Sequence, residues 1–250
     1  MQRRLVWLEP DDPFPLPKNA WPAGSEAPGI LAAGGALNNS TLVRAYSNAI
    51  FPWFGEDEPI LWWSPDPRMV LQPKQFKLHR SLRKTIVRFN SAQQCEIRFD
   101  SQFQQVVAAC AAAARTGQNG TWIGADMQLA YGNLHAAGLA HSIETWVGDT
   151  LVGGLYCVAI GKAVFGESMF CRESNSSKIA LAALMGFCLH HGISMIDCQQ
   201  NTRHLASMGA AEMKRADFLQ KISVDIQQPA PVWQFSPTYW SHVLTPQGPA

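Results

Sequence analysis

Three segments in the second half of the chain carry the side chains best suited to acid–base chemistry. Glu167 closes an apolar run, where its carboxylate would meet either solvent or a polar group inside a cleft. Asp197 and Gln199 lie two residues apart at the end of another apolar run, and strand alternation predicts that both side chains share one face. His204 follows and could act as a base. Such groups could bind a ligand or move a proton.

Each of these residues also has an ordinary structural interpretation. Glu167 is consistent with a solvent-facing residue at a sheet edge, Asp197 with a cap for the next turn, and His204 with a hydrogen-bonded structural histidine. Ligands often sit at strand ends in sheet proteins. Asp197 and Gln199 therefore stay candidates for a site.

A set of apolar residues near these groups predicts a pocket. Its members come from two predicted strands, a predicted helix and the run before Asp197, and they enclose a cavity if the strands face the helix. Methionine suits a cavity that accepts several apolar shapes. Plain core packing explains the same periodicity, so both interpretations stay open. The set comprises Leu155, Met169, Leu181, Leu184 and Ile196.

The segment Ile50–Arg68 combines large aromatic rings with prolines. The rings belong to Phe51, Trp53, Phe54, Trp62 and Trp63, and the prolines stand at positions 52, 59, 65 and 67. Because proline removes a backbone donor, this spacing excludes one continuous strand or helix. The segment is predicted to form a pocket wall, a stacking platform or a plug between two domains.

The remaining pattern predicts an α+β protein with two domains. Composition changes near Pro65–Pro67, which places a small N-terminal domain at 1–67 and a larger domain at 68–250. The larger domain orders its elements as helix, helix, three strands, helix, strand and helix, which favours a central mixed sheet. The predicted strands are at 5–8, 141–147, 151–160, 163–170 and 193–198. The predicted helices are at 41–49, from 103 onward, at 127–137, at 179–191 and at 216–222. The helix from 103 is predicted to be capped by Asp100 or Ser101 and to stop at Gly117, and the helix at 179–191 to stop at Gly192.

Composition limits the function classes. The chain has 250 residues, 47% hydrophobic and 16% charged, with a net charge of +1, so it can bury a core and has no global field for nucleic acid. No dinucleotide-binding, P-loop, serine-hydrolase or zinc-protease motif occurs, and the six cysteines have no metal-binding spacing. The absence of a signal peptide and of a long apolar run, with free cysteines, favours a reducing cytoplasm.

One stretch is locally basic. No acidic residue occurs between Asp66 and Glu96, and such a cluster either neutralises phosphates or forms a solvated face. Its cations are Arg68, Lys74, Lys77, Arg80, Arg83, Lys84 and Arg88.

Eight segments in order resemble the leucyl/phenylalanyl-tRNA–protein transferase family. They are FPWF…PILWWSPDPR at 51–68, GTWI at 120–123, AHSIE at 140–144, LVGGLY at 151–156, FGESMF at 165–170, SNSSKIAL at 174–181, IDCQ at 196–199 and HLASMGA at 204–210. The resemblance implies an enzyme that moves Leu or Phe, less readily Met, from aminoacyl-tRNA to proteins beginning with Arg or Lys. The product is a peptide bond and an N-end-rule degradation signal. It also implies an acetyltransferase-like (GNAT) C-terminal domain, no metal or organic cofactor, and a cytoplasmic monomer.

The resemblance also implies roles for single residues. Asp197 and Gln199 match positions at the reacting amine, with Gln199 orienting it and Asp197 giving electrostatic support, while Glu167 matches a position that binds the donor amino group or the positive end of the acceptor. Trp53 and Trp122 join the five apolar residues above around the aminoacyl group and adenosine. The proposed contacts with the tRNA backbone are Lys74, Lys77, Arg80, Arg83 and Lys84.

Two other functions remain as alternatives. An acyl-CoA-dependent N-acetyltransferase of the same fold would need a pyrophosphate-binding loop that opens a helix, and SNSSK at 174–178 is a poor version of one. A non-catalytic protein that binds tRNA or N-degrons would have no product to form.

Overall fold

Two mixed β-sheets and eight α-helices form the part of the chain that the computed structural model describes, residues 4–113 and 122–245. The predicted stop at Gly117 and the first two residues of the GTWI segment, Gly120 and Thr121, lie outside the described residues. The α+β class is therefore confirmed at the level of mixed helices and sheets.

The smaller sheet comes from the N-terminal part of the chain. Its strands are β1 (Val6–Leu8), β2 (Ile30–Gly34), β3 (Phe51–Pro52) and β4 (Leu61–Trp63), in the order β1-β2-β4-β3. Helix α1 (Asn39–Ser47) begins where the Asn38 side chain accepts the Thr41 amide at 2.9 Å. Prolines keep β3 to two residues.

The larger sheet has seven strands in the order β11-β5-β10-β9-β8-β7-β6. Strands β9 and β10 run parallel, whereas the other neighbouring pairs are antiparallel. The strands are β5 (Arg68–Leu71), β6 (Cys95–Phe99), β7 (Ala140–Val147), β8 (Thr150–Ile160), β9 (Ala163–Cys171), β10 (Ile196–Asp197) and β11 (Ala211–Met213).

Helices cover both faces of this sheet. Helices α2, α5 and α8 pack on one face, while α1, α3, α4, α7 and the smaller sheet pack on the other. Helix α5 links the parallel pair and ends where Gly192 takes a left-handed conformation, φ 69°, as predicted. The remaining helices are α2 (Arg80–Ser91), α3 (Phe103–Ala112), α4 (Ala125–Ala136), α5 (Ser176–His191), α6 (Arg203–Ser207), α7 (Arg215–Asp225) and α8 (Tyr239–Leu244).

Two local predictions are wrong. The start of α3 is capped by neither Asp100 nor Ser101; instead Glu144 on β7 accepts the Gln102 amide at 2.8 Å. The strand predicted for 193–198 is only Ile196–Asp197, and beyond its C-terminal end Gln199 leaves the extended conformation with φ 55°. Helices α2, α6 and α8 were not predicted, and neither were strands β2 to β6 nor β11.

Candidate functional site

An apolar cavity of about 360 Å³ lies between the large sheet, α5 and the segment Phe51–Trp53. Leu155 and Met169 are direct cross-strand neighbours on β8 and β9, and α5 faces them with two leucines three residues apart. The cavity wall includes all seven residues predicted from the sequence: Trp53, Trp122, Leu155, Met169, Leu181, Leu184 and Ile196. Glu167, Gln199 and His204 also line it.

Glu167 lies in a β-bulge. Gly166 pairs with Cys157 and Ser168 pairs with Tyr156, so Glu167 is the extra residue of β9 between two paired positions. A bulge locally re-aims a side chain and often occurs beside active sites. Here it lets the carboxylate reach both the cavity and the two phenols behind it.

Two buried tyrosines hold the Glu167 carboxylate. Tyr46 on α1 donates to Oε1 at 2.8 Å, and Tyr131 on α4 donates to Oε2 at 2.6 Å. Loss of hydration raises the pKa of Glu167 from 4.5 to about 7, although the two phenol hydrogen bonds pull it downward. Burial and the nearby carboxylate raise the pKa of both tyrosines well above 10, so the phenols keep their protons and stay donors.

Asp197 lies behind the cavity in a buried ion pair. Arg68 donates from Nε to Oδ1 and from Nη2 to Oδ2, each at 2.8 Å. The side chains of Arg68 and Asp197 are 0% and 1% exposed, so water screens neither charge. One guanidinium therefore binds both oxygens of the Asp197 carboxylate in a planar two-point contact.

Gln199 connects the two carboxylates. Its backbone amide donates to Asp197 Oδ1 at 2.9 Å, and its side-chain Nε2 lies 3.4 Å from Glu167 Oε1. The residue has φ 55°, so strand alternation ends at Asp197. The prediction that Asp197 and Gln199 share one face of a strand is therefore wrong: Gln199 lines the cavity and Asp197 does not.

Comparisons with known proteins decide the family. The family model "Leucyl/phenylalanyl-tRNA protein transferase" matches residues 70–223, and the model of its N-terminal domain matches residues 35–66. The chain belongs to the leucyl/phenylalanyl-tRNA–protein transferase family. The resemblance carried by the eight sequence segments is thereby confirmed.

Relatives of the same name cover nearly the whole chain. A leucyl/phenylalanyl-tRNA–protein transferase of Polaromonas sp. (strain JS666) is 57% identical to this chain, and the alignment spans 100% of this chain and 98% of the relative. Those of Albidiferax ferrireducens and Paraburkholderia phytofirmans are 58% and 52% identical, each aligned over 97% of this chain and over 96% and 99% of their own lengths. A solved structure of a functionally unknown protein from Staphylococcus epidermidis shares 8% identity over 74% of this chain and 68% of its own, with a TM-score of 0.37, and supports no fold assignment.

His204 and its neighbours form the far rim of the cavity. Helix α6 begins where the Thr202 side chain accepts the Leu205 amide at 3.2 Å, and all three residues line the cavity. Partial burial lowers the pKa of His204, and the charge of Lys178 lowers it further. His204 is therefore biased toward its neutral form.

The basic stretch divides into surface and core. Lys74, Lys77, Arg80 and Lys84 are exposed, as a phosphate-contacting surface requires. Arg83 is half-buried and donates to the Leu244 carbonyl. The inclusion of Arg68 in this surface is wrong, because it is fully buried against Asp197.

Sequence reasoning missed three residues of the site. Tyr46, Tyr131 and Arg68 contact Glu167 or Asp197 across 121, 36 and 129 positions of sequence. No motif links partners so far apart. In the part of the chain that the structure describes, no three His, Cys, Asp or Glu residues are placed to hold a metal ion, and no helix has the length and hydropathy of a membrane span.

Proposed function

We propose that this chain transfers Leu or Phe, and less readily Met, from aminoacyl-tRNA to the N-terminal Arg or Lys of acceptor proteins. The new peptide bond creates an N-end-rule degradation signal. The supporting observation is an apolar cavity that has Glu167 and Gln199 among its polar lining residues, in a chain of this family. The bond that breaks is the ester to the tRNA ribose, so the reaction runs downhill without ATP.

The cavity selects the donor side chain by shape and polarity. Its leucines, isoleucine and methionine offer no hydrogen bonds, so a polar side chain would lose hydration without compensation. Such a wall separates side chains that differ by one methylene by only about 1–3 kcal/mol, which fits acceptance of Leu, Phe and Met together. Trp53 stacks on the terminal adenine or on the donor side chain, held by the Trp63 indole, which donates to the Trp53 carbonyl at 2.6 Å.

Glu167 binds the reacting amine and carries its proton. The acceptor α-amine attacks the ester carbonyl in its neutral form, and the nitrogen loses one proton when the amide forms. A carboxylate with a pKa of about 7 is well matched to that transfer. Returned to the ribose oxygen, the same proton completes the leaving hydroxyl, so the reaction balances with one ester broken and one amide formed.

Gln199 orients the ester and Asp197 supports Gln199. The Gln199 side chain lines the cavity and donates from Nε2 to Glu167 Oε1 at 3.4 Å. An amide nitrogen carries two protons, and we assign the second one to the developing oxyanion. Asp197 acts from behind through the Gln199 backbone. An amide is too weak a base to take the proton itself.

The exposed cations contact the tRNA backbone. Lys77 donates its backbone amide to Met208 at 2.9 Å, directly after α6, so the basic stretch adjoins the rim of the cavity. This surface touches phosphates and carries no base information. Its proposed contacts are Lys74, Lys77, Arg80, Arg83 and Lys84.

We further propose a GNAT-like catalytic domain at 68–250 and a small domain at 1–67. Strand β5 begins the seven-stranded sheet at Arg68, whereas β1 to β4 form a sheet of their own. We place the enzyme in the cytoplasm, where its tRNA substrates are. It is proposed to work as a monomer, without a metal or an organic cofactor.

A transfer assay tests the function. The purified chain is incubated with Leu-, Phe- or Met-tRNA and with peptides that begin with Arg, Lys or Ala, and products are identified by mass. Leu and Phe transfer to the Arg and Lys peptides is expected. Transfer to the Ala peptide alone would overturn the acceptor assignment. A parallel reaction with acetyl-CoA separates an N-acetyltransferase, and binding of tRNA without any product would identify a binder.

A further inference from the structure

The buried guanidinium of Arg68 joins two backbone segments whose neighbouring residues line the cavity. Its Nη1 donates to the Ala49 carbonyl at 3.0 Å, while Nε and Nη2 hold Asp197. The rings of Phe51 and Phe218 flank it, with centroids 4.8 and 4.9 Å from Cζ. These hydrogen bonds and the two flanking rings together restrict the orientation of the guanidinium.

Both backbone segments that Arg68 fixes are strained. Ala49 has φ 58°, and Gln199, tied to Asp197 through its amide, has φ 55°. A left-handed conformation is unfavourable for residues with a side chain and persists where the surroundings impose it. Phe51 and Gln199, which belong to these two segments, face the same cavity.

We propose that Arg68 is a positioning residue that holds Gln199 at the cavity wall through the Asp197 carboxylate. Arg68 does not line the cavity, so it acts on the site through its contacts with Asp197 and Ala49 and through its charge, which lowers the pKa of Glu167. Its charge neutralises Asp197, and its bidentate geometry sets the orientation of Oδ1, which receives the Gln199 amide. The kinetic test of this inference rests on the proposed function. The inference extends that function to a residue that lies behind the cavity wall.

Lysine at position 68 separates geometry from charge. Arg68→Lys keeps the positive charge but removes the planar two-point contact. With Leu-tRNA and an Arg-initiated peptide, kcat is expected to fall roughly tenfold, because a shift of reacting groups by less than 1 Å is costly. KM, which reports donor binding, is expected to stay within about twofold of the wild-type value. The pH midpoint of the rate, which reports Glu167, is expected to move by less than about 0.3 unit.

A double-mutant cycle shows whether the effect passes through Gln199. In the Gln199→Ala background, Arg68→Lys is expected to cost less than about twofold, because the positioned side chain is gone. A tenfold loss in both backgrounds would overturn the proposal. The control is Arg215→Lys, at a half-buried arginine that contacts Ser64 and Asp66. It is expected to lose equally little kcat in both backgrounds.

Hydrogen exchange tests the positioning without any activity. Exchange of the Gln199 amide is expected to accelerate at least tenfold in Arg68→Lys and to stay unchanged in Arg215→Lys. Unchanged exchange would overturn the proposal, whereas a wild type that transfers nothing would overturn the proposed function alone. If Arg68→Lys does not fold, Phe218→Leu loosens one side of the guanidinium, and it must accelerate the same amide for the proposal to stand.

Discussion

The two carboxylates of the site, Glu167 in the cavity wall and Asp197 behind it, have opposite surroundings. Glu167 is held by two neutral phenols, and burial raises its pKa to about 7. Asp197 is held by a guanidinium that binds both oxygens. The donors that touch Glu167 are neutral and burial raises its pKa, whereas Asp197 is paired with a full positive charge. This contrast supports the proposed proton transfer at Glu167 and a structural role for Asp197.

The two carboxylates also differ in how the N-terminal part of the chain reaches them. Tyr46, on α1, donates directly to Glu167, and the Ala49 carbonyl, just after α1, accepts from Arg68. The end of α1 therefore contacts Glu167 directly, and the residue just after it reaches Asp197 through Arg68. Among the described residues of the N-terminal part, those that line the cavity are Phe51, Pro52 and Trp53, so this part contributes to the acid–base groups of the site by holding them.

The largest expected effect is on stability at Asp197. Asp197→Asn leaves the Arg68 charge buried without a counter-charge, and breaking one half of such a pair costs about 3–5 kcal/mol. Urea unfolding followed by tryptophan fluorescence measures this loss. Glu212→Gln, an exposed carboxylate that accepts from Asn201 at 2.8 Å, is the matched control and is expected to change stability by less than about 0.5 kcal/mol. A loss below 1 kcal/mol at Asp197 would contradict a structural ion pair.

The next effect is on the rate at Glu167. Glu167→Gln keeps both phenol contacts possible but cannot take a proton, so kcat/KM is expected to fall about a hundredfold, or about 2.7 kcal/mol. The variant should also lose the inflection of the rate near pH 7. Steady-state transfer rates between pH 5.5 and 9 measure both. Glu173→Gln, an exposed carboxylate near the end of β9, is expected to behave as wild type. Retained activity with the same inflection would move the base elsewhere.

Much of the cavity lining could be predicted from the sequence, but the geometry and the partners of its polar groups could not. Leu155, Met169, Leu181 and Leu184 follow strand and helix periods, which local sequence encodes well. The Glu167 bulge depends on how two strands pair, and the left-handed Gln199 depends on Asp197. Neither leaves a periodic signal. A local charge pattern also placed Arg68 with surface cations, because sequence does not say which arginine finds a buried partner.

The phenols offer a smaller and directional effect. Hydrogen bonds from Tyr46 and Tyr131 favour the ionised carboxylate, so Tyr46→Phe or Tyr131→Phe is expected to raise the pKa of Glu167. The active form is the anion, so the rate at pH 7 falls severalfold and the midpoint of the pH–rate profile moves upward by about one unit. Tyr239→Phe, which removes a hydroxyl that contacts His191 at 3.2 Å, should leave the midpoint in place. A downward shift in either site variant would show that the phenols do not favour the anion.

The smallest effect separates the cavity from the basic surface. Arg80→Glu with Lys84→Glu reverses two exposed charges of α2 without touching either carboxylate. KM for Leu-tRNA is expected to rise about threefold to fivefold at low salt, and less at high salt, because surface charges act on phosphates through screened interactions. A minimal leucyl-adenosine donor lacks those phosphates, so its rate should stay unchanged. Equal losses on both donors would mean that α2 acts on the cavity and that the surface and the site are not separate.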